Sequence, residues 1–252
     1  MTRRRFYAIP EALDSGFVTL APEEARHLRD VLRLKTGAEA FVFDGEGAEY
    51  SCIVIEPGRG NGVARLKVRE QVAPLRPESS LDLTLAVSLL KGEKFDLVVQ
   101  KATELGVSRI APVTTARADV RLRNVCDGER RVTRWRRLAL EACKQSGRAR
   151  LPIIESPTSF SSLIESAKLV DTRMMFTERM GRGLNEVCAL IEPLPQSLIA
   201  LIGPEGGWDD GEIVAAGAAG WDLITLGGRT LRAETGAIVI TALLEHLFGD
   251  LR

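Results

Sequence analysis

Residues 198–207 read Leu-Ile-Ala-Leu-Ile-Gly-Pro-Glu-Gly-Gly, and residues 223–235 read Leu-Ile-Thr-Leu-Gly-Gly-Arg-Thr-Leu-Arg-Ala-Glu-Thr. In each stretch a short apolar run typical of a strand ends at glycine, and a helical pattern follows. Glycine at such a corner admits a positive φ and lets a ligand approach the main chain. Two such corners in succession predict a ligand held largely by main-chain groups, at the carboxyl ends of strands in an open α/β sheet.

Neither corner matches a common phosphate-binding motif. A P-loop needs Gly-Lys-Ser/Thr at its end, and none follows Gly207. The dinucleotide fingerprint needs three spaced glycines early in a βαβ unit, and here a proline occupies the turn. Each corner taken singly is also consistent with a tight connection that needs glycine for its geometry alone.

The rest of the chain indicates two domains. Two prolines interrupt the apolar periodicity over residues 72–78, which we interpret as the boundary. Before it, short strand patterns separated by glycines predict a small β-barrel domain over residues 1–73. After it, strand and helix patterns alternate and predict a parallel α/β domain over residues 79–252. The strand patterns cover residues 17–20, 39–43, 49–55, 64–69, 81–90, 109–114, 153–155, 174–177, 198–202 and 223–226, and the helical patterns 21–32, 93–105, 130–145, 159–167 and 234–248. Asp209 and Glu212 are spaced like a capping box, which predicts the start of a further helix after the first glycine corner.

Composition narrows the class of protein. Of the 252 residues, 45% are hydrophobic and 27% charged, which is ordinary for a soluble globular protein. The four cysteines are widely spaced and only two histidines accompany them, so we expect no metal site. The basic start is not followed by a long apolar stretch, so no signal peptide or membrane span is predicted. These features favour a cytoplasmic, reduced protein.

Basic residues are concentrated in one part of the chain, although the net charge is zero. Residues 117–150 contain eleven Lys and Arg but only four Asp and Glu, and Arg3, Arg4 and Arg5 form a second basic cluster. Confined basic surface is typical of RNA-binding proteins. A solvated helix face is the alternative interpretation.

Taken together, the two corners resemble the signature of the RsmE family, the bacterial small-subunit rRNA uridine-N3 methyltransferases of the SPOUT superfamily. The matching motifs are Gly203-Pro204-Glu205-Gly206-Gly207 and Leu231-Arg232-x-Glu234-Thr235. Further matches extend over nearly the whole chain in the same order: His27-Leu28, Val31-Leu32-Arg33, Lys91, Thr103-Glu104-Leu105-Gly106-Val107, Arg134-Trp135, Glu141-Ala142, Gln145-Ser146 and Arg148.

The resemblance implies a fold and a cofactor. The first domain would be a PUA-like RNA-binding domain, and the second a SPOUT-like α/β domain with a trefoil knot. The knot would bind S-adenosylmethionine without a metal. The residues implied in cofactor binding are Thr177, Ile202, Gly203, Pro204, Glu205, Gly206, Gly207, Leu226, Gly227, Leu231, Arg232, Ala233 and Thr235. Glu205 could accept from a ribose hydroxyl or lie outside the pocket, and Trp208 could cover the pocket or pack at the start of the next helix.

Methylation of uracil N3 requires removal of its proton and stabilisation of the resulting anion. A carboxylate acting as base would remove the proton, and a cation near the uracil oxygens would stabilise the anion. Arg232 and Glu234 are the catalytic candidates, although both could instead form a structural ion pair at a helix start.

The expected partner is small-subunit rRNA or the 30S particle. The RNA-contact candidates are Arg3, Arg4, Arg5, Arg117, Gln145 and Arg148. The last helix is apolar on almost every side, which indicates a homodimer interface, and Leu244 is the residue expected to face outward. The alternatives are a ribose 2′-O-methyltransferase of the same superfamily and a ribosome-associated RNA-binding protein without catalysis.

Overall fold

The computed structural model describes residues 3–251 and divides the chain into two compact units. One unit contains the chain up to Glu78 together with Cys143–Leu151, and the other contains Ser79–Ala142 and the chain from Pro152 onward. The sequence-based boundary assigned residues 143–151 to the second domain, whereas in the structure they group with the first unit. No helix within residues 3–251 is long and apolar enough to cross a membrane.

Hydrogen bonds to the main chain explain why residues 143–151 belong to the first unit. The Arg5 guanidinium donates to the carbonyl oxygens of Cys143 over 3.0 Å and of Arg148 over 2.7 Å. The Glu78 carboxylate accepts from the backbone N–H groups of Ala149 and Arg150, each over 3.0 Å. Such charge-assisted bonds join segments far apart in sequence, which local periodicity cannot predict.

The first unit is built on a six-stranded sheet. Its strands are β1 (Arg5–Tyr7), β2 (Leu13–Asp14), β3 (Phe17–Leu20), β4 (Glu39–Phe43), β5 (Glu49–Glu56) and β6 (Ala64–Val72), in the order β1-β4-β5-β6-β3-β2. The pairing is antiparallel except between β1 and β4. Helix α1 (Pro22–Arg26) continues as a π-helical segment, His27–Val31. The core is apolar and includes Phe6, Val18, Leu20, Leu28, Val42, Val54 and Leu66.

The second unit is a parallel α/β domain, as the alternating pattern predicted. Its strands are β7 (Asp82–Ser88), β8 (Arg109–Thr114), β9 (Ile153–Ile154), β10 (Thr158–Ser159), β11 (Thr172–Phe176), β12 (Arg182–Gly183), β13 (Ser197–Ile202) and β14 (Asp222–Thr225). Their order is β10-β8-β7-β13-β11-β14-β12, with β9 beside β8, and every pair is parallel.

Within residues 3–251, six α-helices accompany these strands. They are α2 (Lys94–Glu104), α3 (Val125–Ser146), α4 (Phe160–Ser166), α5 (Leu184–Cys188), α6 (Asp210–Ala218) and α7 (Ala233–Phe248). The last four residues of α3 group with the first unit. The start expected for α3, at residue 130, was wrong. Asn124 supplies the start signal, because its side-chain oxygen accepts from the backbone N–H of Asp127 over 2.9 Å. The capping box expected from Asp209 and Glu212 is confirmed at the start of α6.

Three neighbouring strands of the second unit end at the same edge of the sheet. In the parallel register Phe176 of β11 lies beside Ile202 of β13 on one side and Ile224 of β14 on the other. The loops that leave these three strands therefore begin next to one another. The two glycine corners are brought together in this way.

Helix α7 packs against the core of the second unit. Ala237, Ile240, Leu244 and Phe248 belong to that core. The expectation that Leu244 faces outward was wrong, since its exposed fraction is 0%. The outward face instead carries Leu247, which is 38% exposed, next to the partly buried Leu243.

Candidate active site

A cavity of about 810 Å³ opens where β11, β13 and β14 end. Three loops and the start of α7 line it. The lining residues are Phe176, Thr177, Glu178, Ile202, Gly203, Pro204, Glu205, Gly206, Gly207, Trp208, Thr225, Leu226, Gly227, Gly228, Arg229, Thr230, Leu231, Arg232, Ala233, Gly236 and Ile240, together with Lys94 of α2. A cavity of this size is typical of a small-molecule or cofactor site.

The cavity brings together nearly all of the residues proposed for cofactor binding. The residues it contains are Thr177, Ile202, Gly203, Pro204, Glu205, Gly206, Gly207, Leu226, Gly227, Leu231, Arg232 and Ala233. Thr235 does not line it and is exposed to solvent on α7. In the first turn of α7, residues 233 and 236 face the cavity, so residue 235 points elsewhere.

The glycines of the two corners serve different purposes. Gly207, Gly227 and Gly228 have φ values of +69°, +68° and +69°, a region that side chains with a Cβ rarely adopt. Gly206 does not, but a Cβ there would lie 3.1 Å from the carbonyl oxygen of Arg117. Positive φ was expected at both corners. In the first corner only its last glycine, Gly207, has a positive φ.

Apolar side chains form the walls of the cavity. Ile202 is buried at the end of β13, while Leu226 and Leu231 are 38% and 40% exposed. Ile240 of α7 adds a further apolar surface. These apolar surfaces suit a flat ring. In the glycine corners, the N–H groups of Gly207 and Gly227 donate to the Pro204 carbonyl oxygen over 3.0 Å and to Thr225 Oγ1 over 3.2 Å, so a ligand would bind other main-chain groups.

Charged side chains border the cavity. Glu205 lines it and forms an ion pair with Lys94 over 2.9 Å. Glu178 follows Thr177 and contacts Arg179 over 3.2 Å, and Arg179 also reaches Asp210 over 3.1 Å. Lys94 and Glu178 were not predicted from the sequence. Glu178 could have been considered because it directly follows a residue at a strand end, whereas the position of Lys94 depends on the folded structure.

The two catalytic candidates are placed differently. Arg232 lines the cavity and is exposed, and its guanidinium has no hydrogen-bond or ion-pair partner among residues 3–251. Glu234 lies in the first turn of α7, is only 9% exposed, and does not line the cavity. Its Oε2 is buried without a hydrogen-bond partner in the described part of the chain. The structure therefore contains no Arg232–Glu234 ion pair.

Two of the RNA-contact candidates are buried in the first unit. Arg5 is 7% exposed and pairs with Glu49 over 3.1 Å. Arg148 is 5% exposed and pairs with Glu78 over 2.8 Å. Both side chains support the fold of that unit, and we correct their assignment accordingly.

The other RNA-contact candidates are accessible. Arg4 and Gln145 are exposed. Arg3 is partly exposed and pairs with Glu49 over 3.1 Å. In the second unit Arg117 is exposed and pairs with Asp209 over 3.3 Å. These four side chains remain candidates for RNA contact.

Trp135 and His27, which belong to the motifs noted in the sequence, contact other side chains of the protein. Trp135 is 2% exposed, and its Nε1–H donates to Asp96 over 3.0 Å. His27 is partly buried and packs edge-on against Phe6. Within residues 3–251 no group of three or more His, Cys, Asp or Glu side chains could hold a metal ion.

Comparison with known proteins assigns both parts of the chain. A family of RNA methyltransferase domains matches residues 77–245, and a family of PUA domains of RNA methyltransferases matches residues 20–67. The chain belongs to the RNA methyltransferase family. The similarity to the RsmE family is also supported by curated relatives and solved structures.

Two relatives named ribosomal RNA small subunit methyltransferase E illustrate the similarity. The protein from Synechocystis is 32% identical over 96% of this chain and 78% of its own length. The protein from Rickettsia conorii is 30% identical over 98% of this chain and 97% of its own length.

Two solved structures share the fold over the whole chain. A ribosomal RNA small subunit methyltransferase E from Neisseria gonorrhoeae, bound to S-adenosylmethionine, is 30% identical with a TM-score of 0.87. A structure from Legionella pneumophila, described as a methyltransferase in complex with the bound cofactor SAM, is 26% identical with a TM-score of 0.88. Each alignment covers 100% of both chains.

Proposed function

We propose that this protein transfers a methyl group from S-adenosylmethionine to N3 of a uridine in small-subunit ribosomal RNA. The observation that supports this most strongly is the cavity between the two glycine corners, in a chain of the RNA methyltransferase family. The names of the relatives support small-subunit rRNA as the substrate. The choice of uracil N3 rests on the resemblance to the RsmE family.

The cavity fits S-adenosylmethionine in its shape and chemistry. Gly236 is buried in α7 and lines the cavity, and a Cβ at this position would meet no atom within 4 Å. The space in front of Gly236 therefore belongs to the cavity and is not filled by protein. Ile202, Leu226 and Leu231 would contact the adenine ring, and main-chain groups of residues 203–207 and 226–228 would bind its polar edge.

The first chemical requirement is stabilisation of a uracil anion. When bound, S-adenosylmethionine supplies an electrophilic methyl group. Arg232 lines the cavity without a carboxylate partner, so its guanidinium is available to the uracil oxygens. A preorganised cation of this kind stabilises the charge that develops when N3 loses its proton.

The second requirement is a group that accepts the N3 proton. Glu234 has a buried carboxylate oxygen with no hydrogen-bond partner among residues 3–251, and a catalytic role is one explanation for such an oxygen in a folded protein. Because Glu234 does not line the cavity, a change of its rotamer or an intervening water would be needed for proton transfer. We therefore propose Arg232 as the catalytic cation and Glu234 as the proton acceptor to be tested.

RNA binding and assembly complete the proposal. The first unit would hold RNA as a PUA-like domain, with Arg3, Arg4 and Gln145 as contacts, and Arg117 would contact RNA from the second unit.

The protein would act in the cytoplasm as a homodimer that uses the outward face of α7, and its α/β domain would contain the trefoil knot. Leu247 on that face is 38% exposed, which supports an interface there.

A direct assay tests the reaction. Purified protein is incubated with methyl-labelled S-adenosylmethionine and small-subunit rRNA, either free or in the 30S particle, and the RNA is digested to nucleosides. Mass spectrometry should find the label in 3-methyluridine. Label in a ribose-methylated nucleoside would contradict the choice of uracil N3, and RNA binding without any label would contradict the enzymatic function.

A further inference from the structure

The outward face of α3 carries arginines that the site described above does not use. Arg130, Arg134 and Arg137 are exposed on this helix, and Arg121 and Arg123 are exposed in the segment that precedes it. Arg134 pairs with Asp96. The guanidinium groups of the other four have no ion-pair or hydrogen-bond partner within the described residues 3–251. We call the surface formed by Arg121, Arg123, Arg130, Arg134 and Arg137 the α3 basic face.

Packing fixes the orientation of this face. Val132, Trp135 and Ala139 are buried in the core of the second unit, which holds the opposite side of α3 against the sheet. Residues 130, 134 and 137 follow helical spacing, so they form one stripe that extends over about 10 Å at 1.5 Å per residue.

The preceding segment is held close to the start of α3. The side chain of Leu122 packs against the core, and its Cδ1 would lie 3.8 Å from a Cβ at Gly128. Arg121 and Arg123 flank this anchored residue and are exposed. The segment therefore presents its two guanidinium groups beside the first turns of α3.

Of the five arginines on this face, Arg134 pairs with an acid, Asp96. The nearby Asp119 pairs instead with Lys91 over 2.9 Å, and Asp127 with Arg131 over 3.5 Å. A guanidinium group binds phosphate through paired N–H donors, and several such groups on one surface favour a polyanion. We propose that the α3 basic face binds the phosphodiester backbone of the substrate RNA.

This inference rests on the proposed function, because it takes RNA as the substrate. It assigns RNA contact to residues of the methyltransferase unit other than Arg117. It also accounts for the excess of basic residues within 117–150, since Arg148, the candidate taken from the end of that region, is buried. Phosphate contacts set the position of the RNA and carry no sequence information, so the surface would hold flanking RNA and would not select the uridine.

The test compares two variants of the second unit, each of which lacks four positive charges. One loses them from the α3 basic face, and the other loses them from elsewhere on the unit. The test variant is Arg121→Gln/Arg123→Gln/Arg130→Gln/Arg137→Gln. The matched control removes four exposed or partly exposed cations that already pair with acids, as Lys101→Gln/Arg109→Gln/Lys168→Gln/Arg182→Gln. Affinity for small-subunit rRNA is measured between 50 and 200 mM salt, and S-adenosylmethionine affinity is measured by calorimetry on the same proteins.

The test variant should lose about tenfold or more in RNA affinity at the lowest salt, and its salt slope should fall by about 3, at roughly 0.7 per single-stranded phosphate contact. The double variants Arg121→Gln/Arg123→Gln and Arg130→Gln/Arg137→Gln should each produce about half of the change in slope. S-adenosylmethionine affinity should be unchanged in all variants.

A test variant with the RNA affinity and salt slope of the control would overturn the inference, since the loss would then reflect net charge alone. Failure of the proposed function has a different signature: the unmodified protein itself would not methylate small-subunit rRNA.

Discussion

The indole Nε1–H of Trp208 donates to the carbonyl oxygen of Phe176 over 2.8 Å, which joins the loop after β13 to the last residue of β11. Trp208 is 1% exposed, and a Cβ at Gly203 would lie only 2.8 Å from the same Nε1. Gly203 is thus required for close packing against Trp208, not for a left-handed backbone. The pair fixes the first glycine corner as one rigid wall of the cavity.

The clearest test of cofactor binding is substitution of Gly236. The change Gly236→Leu places a branched side chain in the open space of the cavity without a clash with protein atoms at Cβ. We expect S-adenosylmethionine affinity, measured by calorimetry, to fall by about 100-fold or more, since each 1.4 kcal/mol lost is tenfold. Circular dichroism should show an unchanged fold.

The matched control is Gly236→Ala, which adds only the Cβ. Alanine in place of this glycine in the first turn of α7 should stabilise the protein by up to about 1 kcal/mol and change cofactor affinity little. If Gly236→Leu folds and binds S-adenosylmethionine as tightly as Gly236→Ala does, the cofactor site lies elsewhere.

Arg232 and Glu234 can be separated by their kinetic effects. Arg232→Gln removes the cation proposed to stabilise the uracil anion, and kcat should fall by about 100-fold. S-adenosylmethionine affinity should change far less, because main-chain groups and apolar walls provide most of the binding. Equal losses in kcat and in cofactor affinity would assign Arg232 to cofactor binding alone.

Glu234→Gln preserves the shape of the side chain but removes its basicity. If Glu234 accepts the N3 proton, kcat should fall by about 100-fold or more. An unchanged kcat together with a lower thermal midpoint would show that Glu234 only stabilises the first turn of α7.

The sequence carried strong signals for the long elements and weaker ones for short elements. Continuous apolar runs predicted β7, β8 and β13, and capping residues predicted the start of α6. The two-residue strands β10 and β12 and the short helix α5 were missed, because so few residues contain no periodic pattern. The early start of α3 was missed because Asn124 precedes it without a following apolar repeat.

Differences in cysteine environment predict selective alkylation. Burial raises the pKa of the Cys52 and Cys143 thiols to about 12, so almost no reactive thiolate forms at either site at pH 8. Cys126 is exposed on α3. Intact-mass analysis after brief treatment with iodoacetamide at pH 8 should show modification at Cys126 first, with Cys52 and Cys143 reacting only in denaturant.

The same pKa shifts affect stability at high pH. The unfolded chain releases its thiol protons near the ordinary pKa of 9.0, whereas the folded protein keeps them until about 12. The free energy of unfolding should therefore decrease as the pH rises above 9. Rapid labelling of Cys143 in the native protein at pH 8 would contradict the burial of this thiol.

The proposed dimer can be tested on the outward face of α7. Leu247→Asp places a charge on this face, and light scattering at micromolar concentration should show a shift from dimer to monomer. The control is Leu169→Asp, which adds the same charge at a residue that is 94% exposed. An unmodified protein that is already monomeric would exclude the dimer.

Only part of the candidate site could be predicted from the sequence. The glycine corners located most of the cavity, because strand ends and positive-φ glycines have strong local signatures. The ion pair of Lys94 with Glu205 joins residues 111 positions apart, so it depends on the packing of α2 against the fold. The burial of Arg5 and Arg148 has the same origin, since both are held by main-chain or acidic partners distant in sequence.

Nucleoside analysis of ribosomal RNA in cells tests the central claim most directly. Small-subunit rRNA is compared by mass spectrometry from cells without this protein and from the same cells supplied with the unmodified protein, Gly236→Ala or Gly236→Leu. We expect one 3-methyluridine to be absent without the protein, restored by the unmodified protein and by Gly236→Ala, and not restored by Gly236→Leu. Small-subunit rRNA that carries the same 3-methyluridine with and without the protein would contradict the account.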